Sequence, residues 1–179
     1  MRAAVILSGI VLGLALIYVI FNSALITVNE LKKSMLIQSS AFAHNQTIPK
    51  KYTCDGENIN PTIAFSNIPK GAKTLALIVD DPDAPVGLWV HWILFNISSD
   101  TKEIKEGSMP KGAVEGTTNF GKPGYGGPCP PGGEHRYFFK LYALDTELDL
   151  PSSADKETLE EAMVGHVLDK AELVGLYSR

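Results

Sequence analysis

The chain begins with a long apolar stretch, and residues 3–21 contain no charged side chain. The apolar character resumes after Asn22 and Ser23 and continues to Val28, which is long enough to cross a bilayer as a helix. No polar stripe marks one face for solvent, as it would on a surface helix of a globular domain. The pattern predicts a transmembrane anchor, or uncleaved signal, over residues 1–29 and one domain over residues 30–179.

A cleaved signal peptide is the alternative interpretation of this stretch. A small-x-small cleavage site occurs only at Ala41-Phe42-Ala43, well downstream of the apolar residues. Arg2 on one side is nearly balanced by Lys32 and Lys33 on the other, so charge alone does not decide the orientation. We expect a single-pass membrane protein with its domain outside the cytoplasm or, in the alternative, a protein secreted after cleavage.

Beyond residue 30, short apolar and alternating runs predict a chain built mainly of β-strands. The run at residues 74–79 is almost wholly apolar, which is typical of a central strand buried on both faces. Further strands are predicted at residues 34–42, 62–66, 90–97, 135–144 and 172–177. One helix is predicted over residues 156–169, where Leu159, Met163 and Val167 or Leu168 follow helical spacing and Ser153 can cap the N-terminus.

Composition adds two restrictions to this picture. The 16 glycines and 11 prolines in 179 residues favour strands joined by ordered loops over a helical bundle. A net charge of -4 offers no basic face, so no nucleic-acid partner is expected.

Three carboxylates, Asp80, Asp81 and Asp83, follow the predicted central strand within four residues. Such carboxylates repel one another unless hydrogen-bond donors or a cation lie nearby. Pro82 and Pro85 restrict the backbone of this turn, so the carboxylates are held in fixed directions. A functional site and a solvated strand end both remain open on this pattern.

His91 lies in an otherwise apolar strand beside Trp92. Strand alternation predicts that His91 and Ile93 share one face, with Trp92 on the other. A single histidine in such a strand is commonly a buried structural residue. A functional role would require contact with an aspartate from the preceding strand end.

Residues 115–133 form a long loop rich in glycine and proline, and His135 follows it directly. Glycines allow backbone N–H groups to approach a ligand, and concave loops of this kind bind anions. Long loops without secondary structure are usually functional, so we favour a binding role over an ordinary connection. The chain carries no G-x-S-x-G, H-E-x-x-H or C-x-x-C motif, and neither a metal site nor a cofactor is expected.

Taken together, these motifs resemble the phosphatidylethanolamine-binding protein family, also called Raf kinase inhibitor-like proteins, and its compact prokaryotic branch in particular. The resemblance covers residues 34–179. The sequences that carry it are YTCDGEN at 52–58, DPDAP at 81–85, HW at 91–92, GPCPP at 127–131, HRY at 135–137 and AELVG at 171–175.

The resemblance implies a large antiparallel sheet packed on a smaller sheet, with a few peripheral helices. It also implies a small cavity near the surface that takes phosphate-like and carboxylate groups. The residues that match the family's ligand site are Asp81, His91, His135 and Tyr137, with Gly127, Pro130 and Pro131 in the lining loop. Asp83 is expected to hold the turn or support a histidine, and Arg136 to form a structural ion pair.

The family fold also brings Cys54 and Cys129 to the same end of the sheet, where a disulfide between them is expected. Two reduced thiols are the alternative.

We therefore expect a binding module for a small anion, namely a phosphate, phosphoryl or carboxylate group, free or on a partner. The family name suggests a regulator or inhibitor of a kinase or protease. The alternative is an enzyme, a hydrolase or isomerase, that uses Asp81 and His91 as an acid–base pair.

Overall fold

Strands dominate the fold because β-branched and aromatic runs alternate with turn residues along most of the domain. The computed structural model describes residues 33–179. Its elements in chain order are β1 (Leu36–Ser39), β2 (Gln46–Thr47), a 3-10 turn (Lys50–Tyr52), β3 (Ile63–Ser66), β4 (Thr74–Asp81), β5 (Trp89–Ser98), β6 (Glu103–Ile104), β7 (Val114–Glu115), β8 (Glu134–Leu144), the helix α1 (Lys156–Met163) and β9 (Val167–Ser178).

Two sheets organise these strands. The larger has six strands in the order β2-β9-β8-β4-β5-β7, and the smaller has three in the order β1-β3-β6. All pairs are antiparallel except β2 with β9. The predicted mainly β fold, with a large sheet and a smaller one, is therefore confirmed.

The large sheet is covered on both faces, which explains why all eight residues of β4 are buried. One face packs against the small sheet, with Leu77 and Phe139 meeting Ile37 and Phe65 in a single apolar cluster. The other face packs against α1 through a second cluster that includes Ile78 and Leu159. The end of the central strand, where the three aspartates lie, is thus fixed by packing from two sides.

The predicted transmembrane anchor at residues 1–29 lies outside the described residues. Within residues 33–179, no helix is long and apolar enough to span a membrane. The longest candidate, α1, has eight residues, whereas a spanning helix needs about 20. The fold prediction is corrected accordingly: the membrane-spanning helix, and the signal-anchor and single-pass membrane localisation inferred from it, are not supported. The domain boundary at residue 30 stays a prediction.

The C-terminal boundaries also differ from prediction. The helix ends at Met163, because the backbone of Val164 leaves the helical region and Gly165 takes a left-handed φ of 82°. Asp155, and not Ser153, caps the N-terminus by accepting a hydrogen bond from the Thr158 N–H. Of the residues expected at the end of the helix, Val167, Leu168 and Asp169 belong to β9, which pairs with β8 along nearly its whole length.

A bulge in β5 changes the direction of one functional candidate. Beside it, β5 advances by two residues where β4 advances by one, and His91 is the extra residue. The His91 ring lies 5.2 Å from the Tyr137 ring, and Trp92 packs in the same apolar cluster as Tyr137. Ile93 belongs to the cluster on the opposite face. The predicted alternation is therefore wrong here, since His91 and Trp92 share a face.

Candidate functional site

A cavity of about 310 Å³ opens where the ends of β4, β5 and β8 meet the loop between β7 and β8. Its floor is polar and its walls are apolar. The lining residues are Asp81, Ala84, Pro85, Val86, Trp89, His91, Phe120, Cys129, Pro130, Pro131, His135 and Tyr137. The structure thus brings Asp81, His91, Pro130, Pro131, His135 and Tyr137 together around one cavity.

Each of the three carboxylates near the end of β4 has its own partner on β8, and the two strands are neighbours in the sheet. The alternation of β4 sends Asp80 and Asp81 to opposite faces. Asp80 is fully buried and pairs with Nζ of Lys140 at 2.8 Å, on the face away from the cavity. The repulsion that the sequence suggested is relieved by separate cations and donors, so no shared metal ion is required.

Asp81 is the carboxylate that reaches the cavity. Its Oδ2 accepts a hydrogen bond of 2.8 Å from Nδ1 of His135. Its Oδ1 accepts another, also 2.8 Å, from the backbone N–H of Asp83. Only 3% of Asp81 and 6% of His135 is exposed, so the pair is held rigidly beneath the cavity.

Asp83 lies outside the cavity lining and holds the neighbouring turn. Its carboxylate accepts hydrogen bonds from the backbone N–H and from Nε and Nη2 of Arg136, at 3.0, 2.8 and 2.7 Å. The guanidinium of Arg136 lowers the pKa of Asp83 to about 2. Because His135 precedes Arg136 directly, this ion pair fixes the chain on either side of the Asp81–His135 hydrogen bond.

His91 is oriented by the glycine-rich loop. Its Nδ1 lies 2.6 Å from the carbonyl oxygen of Gly126, which can only accept, so Nδ1 carries the proton and Nε2 is left for other partners. Burial lowers the pKa of His91 below its ordinary value, and this effect outweighs the opposing influence of the Gly126 carbonyl and of Asp81. The ring is therefore neutral near pH 7, and it gains a second N–H only when a proton is taken up.

Tyr137 carries a buried polar atom without a partner. The residue is 1% exposed, and no described residue makes a hydrogen bond to its hydroxyl. Burial, and then the negative charge of Asp81, raises the pKa of this phenol, so it stays a donor at all ordinary pH values. The backbone amide of Cys129 acts in the opposite direction, but it does not reach hydrogen-bonding geometry.

Gly127 supports the cavity from behind and does not line it. Its N–H donates a hydrogen bond of 2.7 Å to Oδ1 of Asn58, and a Cβ at this position would collide with the carbonyl oxygen of Tyr52. Only glycine allows the loop to approach the segment near residue 53 this closely. A disulfide between Cys54 and Cys129 joins the same two segments.

The apolar wall of the cavity was missed by sequence reasoning. Trp89, Phe120 and Val86 surround the opening, and Val86 is 77% exposed. The sequence did contain a signal for this wall. Val86 lies in a turn and Phe120 in the glycine-rich loop, where a large apolar side chain does not belong to the buried face of a strand or helix. None of the lining residues within 33–179 is lysine or arginine. A ligand here meets histidines and a phenol, without a permanent positive charge.

In the part of the chain that the structure describes, no group of three His, Cys, Asp or Glu side chains is placed to hold a metal ion.

The sequence as a whole is similar to proteins of one known family. A family model described as phosphatidylethanolamine-binding protein matches residues 38–178. The chain belongs to this family. A UPF0098 protein of Methanothermobacter thermautotrophicus is 53% identical over 150 residues, covering 81% of this chain and 99% of the relative. A UPF0098 protein of Aquifex aeolicus is 46% identical over 153 residues, covering 81% and 89%.

Solved structures agree with this assignment. A crystal structure of a phosphatidylethanolamine-binding protein homologue from Chlamydia trachomatis matches with a TM-score of 0.79 and 45% identity, covering 82% of this chain and 98% of that one. The crystal structure of Escherichia coli YbcL, described as a member of the mammalian family, matches with a TM-score of 0.77 and 28% identity, covering 82% and 99%. These archaeal and bacterial relatives confirm the prokaryotic branch of the phosphatidylethanolamine-binding protein family.

Proposed function

We propose that this domain binds a small anionic group, a phosphate, phosphoryl or carboxylate, in the cavity above Asp81, His91, His135 and Tyr137. The volume of about 310 Å³ lies at the small end of ligand pockets, so it suits one compact group. The polar side chains lie at the floor of the cavity, whereas the walls are apolar and exclude water from around a bound anion. Such a site recognises a charged head with a short apolar neighbour.

The hydroxyl of Tyr137 is the observation that carries this proposal. A buried donor without an acceptor costs about 1–3 kcal/mol, and native proteins rarely tolerate one without a reason. Tyr137 contributes to the lining of the cavity, and an anion oxygen that reached its hydroxyl would satisfy it.

The charge of the site sets the kind of anion. The cavity lining has no permanent cation, and the Asp81 carboxylate lies beneath it. A singly charged group is therefore favoured over a dianion, and a proton taken up by His91 would strengthen its binding. The expected affinity is weak for a free anion and higher for one that also contacts the apolar wall.

A regulatory role follows if the anionic group belongs to a protein partner. A phosphorylated or carboxylate side chain inserted into the cavity would place the partner against the exposed rim around Val86. The family resemblance suggests inhibition of a kinase or a protease as the form of regulation, and we propose this role for the domain. The acid–base alternative receives less support, because Asp81 makes its hydrogen bond to His135 and, among the described residues, none to His91.

A titration of the full-length chain with methanesulfonate, followed by NMR, tests the proposal. We expect shifts at His91, His135 and Tyr137, and about a tenfold or greater loss of affinity in Tyr137→Phe, because a hydrogen bond to a charged group is removed. Tyr142→Phe is the matched control, since Tyr142 lies outside this cavity. Shifts confined to other regions, or equal affinities in the two variants, would refute anion binding at Tyr137.

A further inference from the structure

A second, smaller cavity lies directly behind one wall of the candidate site. Its volume is about 160 Å³, and Asn58, Thr118, Lys122, Gly124 and Tyr125 contribute to its lining. Phe120 and Cys129 line both cavities. Since Cys129 is fixed by its disulfide, the ring of Phe120 is the replaceable part of the partition.

Phe120 is an exposed aromatic residue in the wall shared by the two cavities. Its ring meets His91 and Trp89 edge-on, with centroids 5.5 Å apart in both cases, and 42% of the residue is exposed. Its other side lies against Gly126, where a Cβ would overlap the ring. The absence of a side chain at Gly126 therefore creates the space that Phe120 fills between the two cavities.

We propose that Phe120 is a specificity-determining residue that limits how much of an apolar chain the site can contact. The proposal rests on the anion-binding function above and deepens it. When the anionic group of a ligand binds at Tyr137, its apolar substituent lies along Trp89 and the two prolines. The Phe120 ring limits how far this contact extends. A longer chain in the wild-type protein turns out into solvent and gains nothing from its added methylenes. The preferred ligands are thus anions with a short apolar substituent.

The physical expectation is a plateau in affinity against chain length. Each methylene that leaves water strengthens binding by about fourfold, and one that stays in water adds nothing. Replacing Phe120 by alanine joins the second cavity to the first. A volume of about 160 Å³ has room for about five water-sized groups, so the plateau should move to longer chains.

A series of straight-chain alkyl sulfonates, from methanesulfonate to octanesulfonate, measures this plateau on the full-length chain by calorimetry. The sulfonate charge is the same in every probe. We expect the ratio of octanesulfonate affinity to methanesulfonate affinity to be at least about tenfold higher in Phe120→Ala than in wild type. Phe120→Leu keeps an apolar side chain in the partition, so its ratio of the two affinities should lie between those of wild type and Phe120→Ala. Met109→Ala, at an exposed apolar residue outside both cavities, should reproduce the wild-type profile.

Two results would overturn the proposal. One is a chain-length profile in Phe120→Ala that superimposes on that of wild type. The other is an equal loss for every sulfonate, which would mean that Phe120 only positions His91.

The failure of anion binding itself would look different, since no sulfonate would then bind the wild-type protein. In that event, an NMR titration with 1-butanol still tests whether the Phe120 ring separates the two cavities. Shifts at Asn58 and Gly124 in Phe120→Ala but not in wild type would support it, and their absence from both proteins would overturn it.

Discussion

Nδ1 of His135 donates a 2.8 Å hydrogen bond to the Asp81 carboxylate, and the two side chains are only 8% and 4% exposed. The same pairing occurs elsewhere in the domain between His166 and Asp145, also at 2.8 Å, where the side chains are 46% and 45% exposed. Two pairs with the same hydrogen-bond distance and different burial allow the contribution of the cavity pair to be measured against an internal reference.

Asp81→Ala is expected to lower the free energy of unfolding by about 1–3 kcal/mol, because it leaves the buried Nδ1–H of His135 without its acceptor. Asp145→Ala should cost no more than about 1 kcal/mol, since water replaces an exposed ion pair. Equilibrium unfolding in urea, with His135 and His166 both retained, measures the two values. Equal losses in the two variants would show that the Asp81–His135 pair is solvated in solution and does not form a rigid floor.

The long central strands could be predicted from the sequence because their signal is local, whereas the two-residue strands β2, β6 and β7 were not predicted. The apolar run of β4 and the alternation of β8 both give the correct element within about two residues at each end. The helix was extended too far because Val167 and Leu168 continue a helical spacing, although both lie in β9 and are 42% and 37% exposed. There, pairing with β8 outweighs the local pattern.

The partners of the aspartates could not be predicted from local pattern. The sequence showed that Asp80, Asp81 and Asp83 need donors, but the donors lie on β8, more than 50 residues away. Which residue meets which carboxylate depends on the register between β4 and β8, and a register is a property of the whole sheet.

The direction of His91 was missed for a similar reason. A bulge inserts one residue and reverses the alternation beyond it, and nothing in the residues around His91 requires one. The free hydroxyl of Tyr137 is likewise visible only after packing, since any tyrosine in a strand could have found a partner. The family resemblance placed both residues in the cavity, but it did not predict these contacts.

The lowered pKa of His91 predicts a loss of stability on acidification. Because the pKa in the folded state is below 6.5, the unfolded chain binds more protons as pH falls. The contribution of His91 is therefore complete above about pH 6.5 and declines as pH falls through that value towards the lower folded pKa. Urea unfolding between pH 8 and pH 5 should show this decline in wild type and a smaller decline in His91→Gln.

His166→Gln is the control for this measurement, and it should follow the wild-type curve because His166 is exposed. Methanesulfonate should oppose the decline, since a bound anion favours the protonated form of His91. Parallel curves for wild type and His91→Gln would contradict the prediction.

The ion pair between Asp83 and Arg136 predicts a carboxyl group that titrates at unusually low pH. The pKa of Asp83 lies at about 2, chiefly because of the hydrogen bonds from the guanidinium. Its stabilising contribution is therefore present above about pH 4 and lost as pH falls towards 2. In Arg136→Gln, NMR of the side-chain carboxyl carbon should show the pKa of Asp83 rising towards 3.8.

Asp155 provides the internal control in the same spectra. Its pKa is lowered by hydrogen bonds from Thr158 at the start of α1, so Arg136→Gln should leave it unchanged. An Asp83 titration that does not move in the variant would show that backbone donors, and not the guanidinium, hold the carboxylate.

The disulfide between Cys54 and Cys129 predicts a stability that depends on redox conditions. It closes a loop with a sequence separation of 75, for which the chain-entropy model gives about 4.5 kcal/mol. Cys54→Ser and Cys129→Ser should therefore each lose a similar amount of stability, and neither should respond further to a reductant. Thiol counting on denatured, unreduced wild-type protein should find none, and two reactive thiols would exclude the bridge.

The same variants distinguish an effect on the unfolded chain from an effect on the cavity. Apart from the disulfide, the two loops are joined by the Cys54 N–H, which donates to the carbonyl of Pro128, and by the Gly127 N–H, which donates to Asn58. These bonds do not need sulfur, so the folded loop should keep its shape when the bridge is absent. We therefore expect the affinity for methanesulfonate to change by less than about threefold in Cys54→Ser, although the midpoint of urea unfolding falls clearly. A large loss of affinity would instead mean that the disulfide holds Pro130 and Pro131 against the ligand, and that reduction itself controls binding.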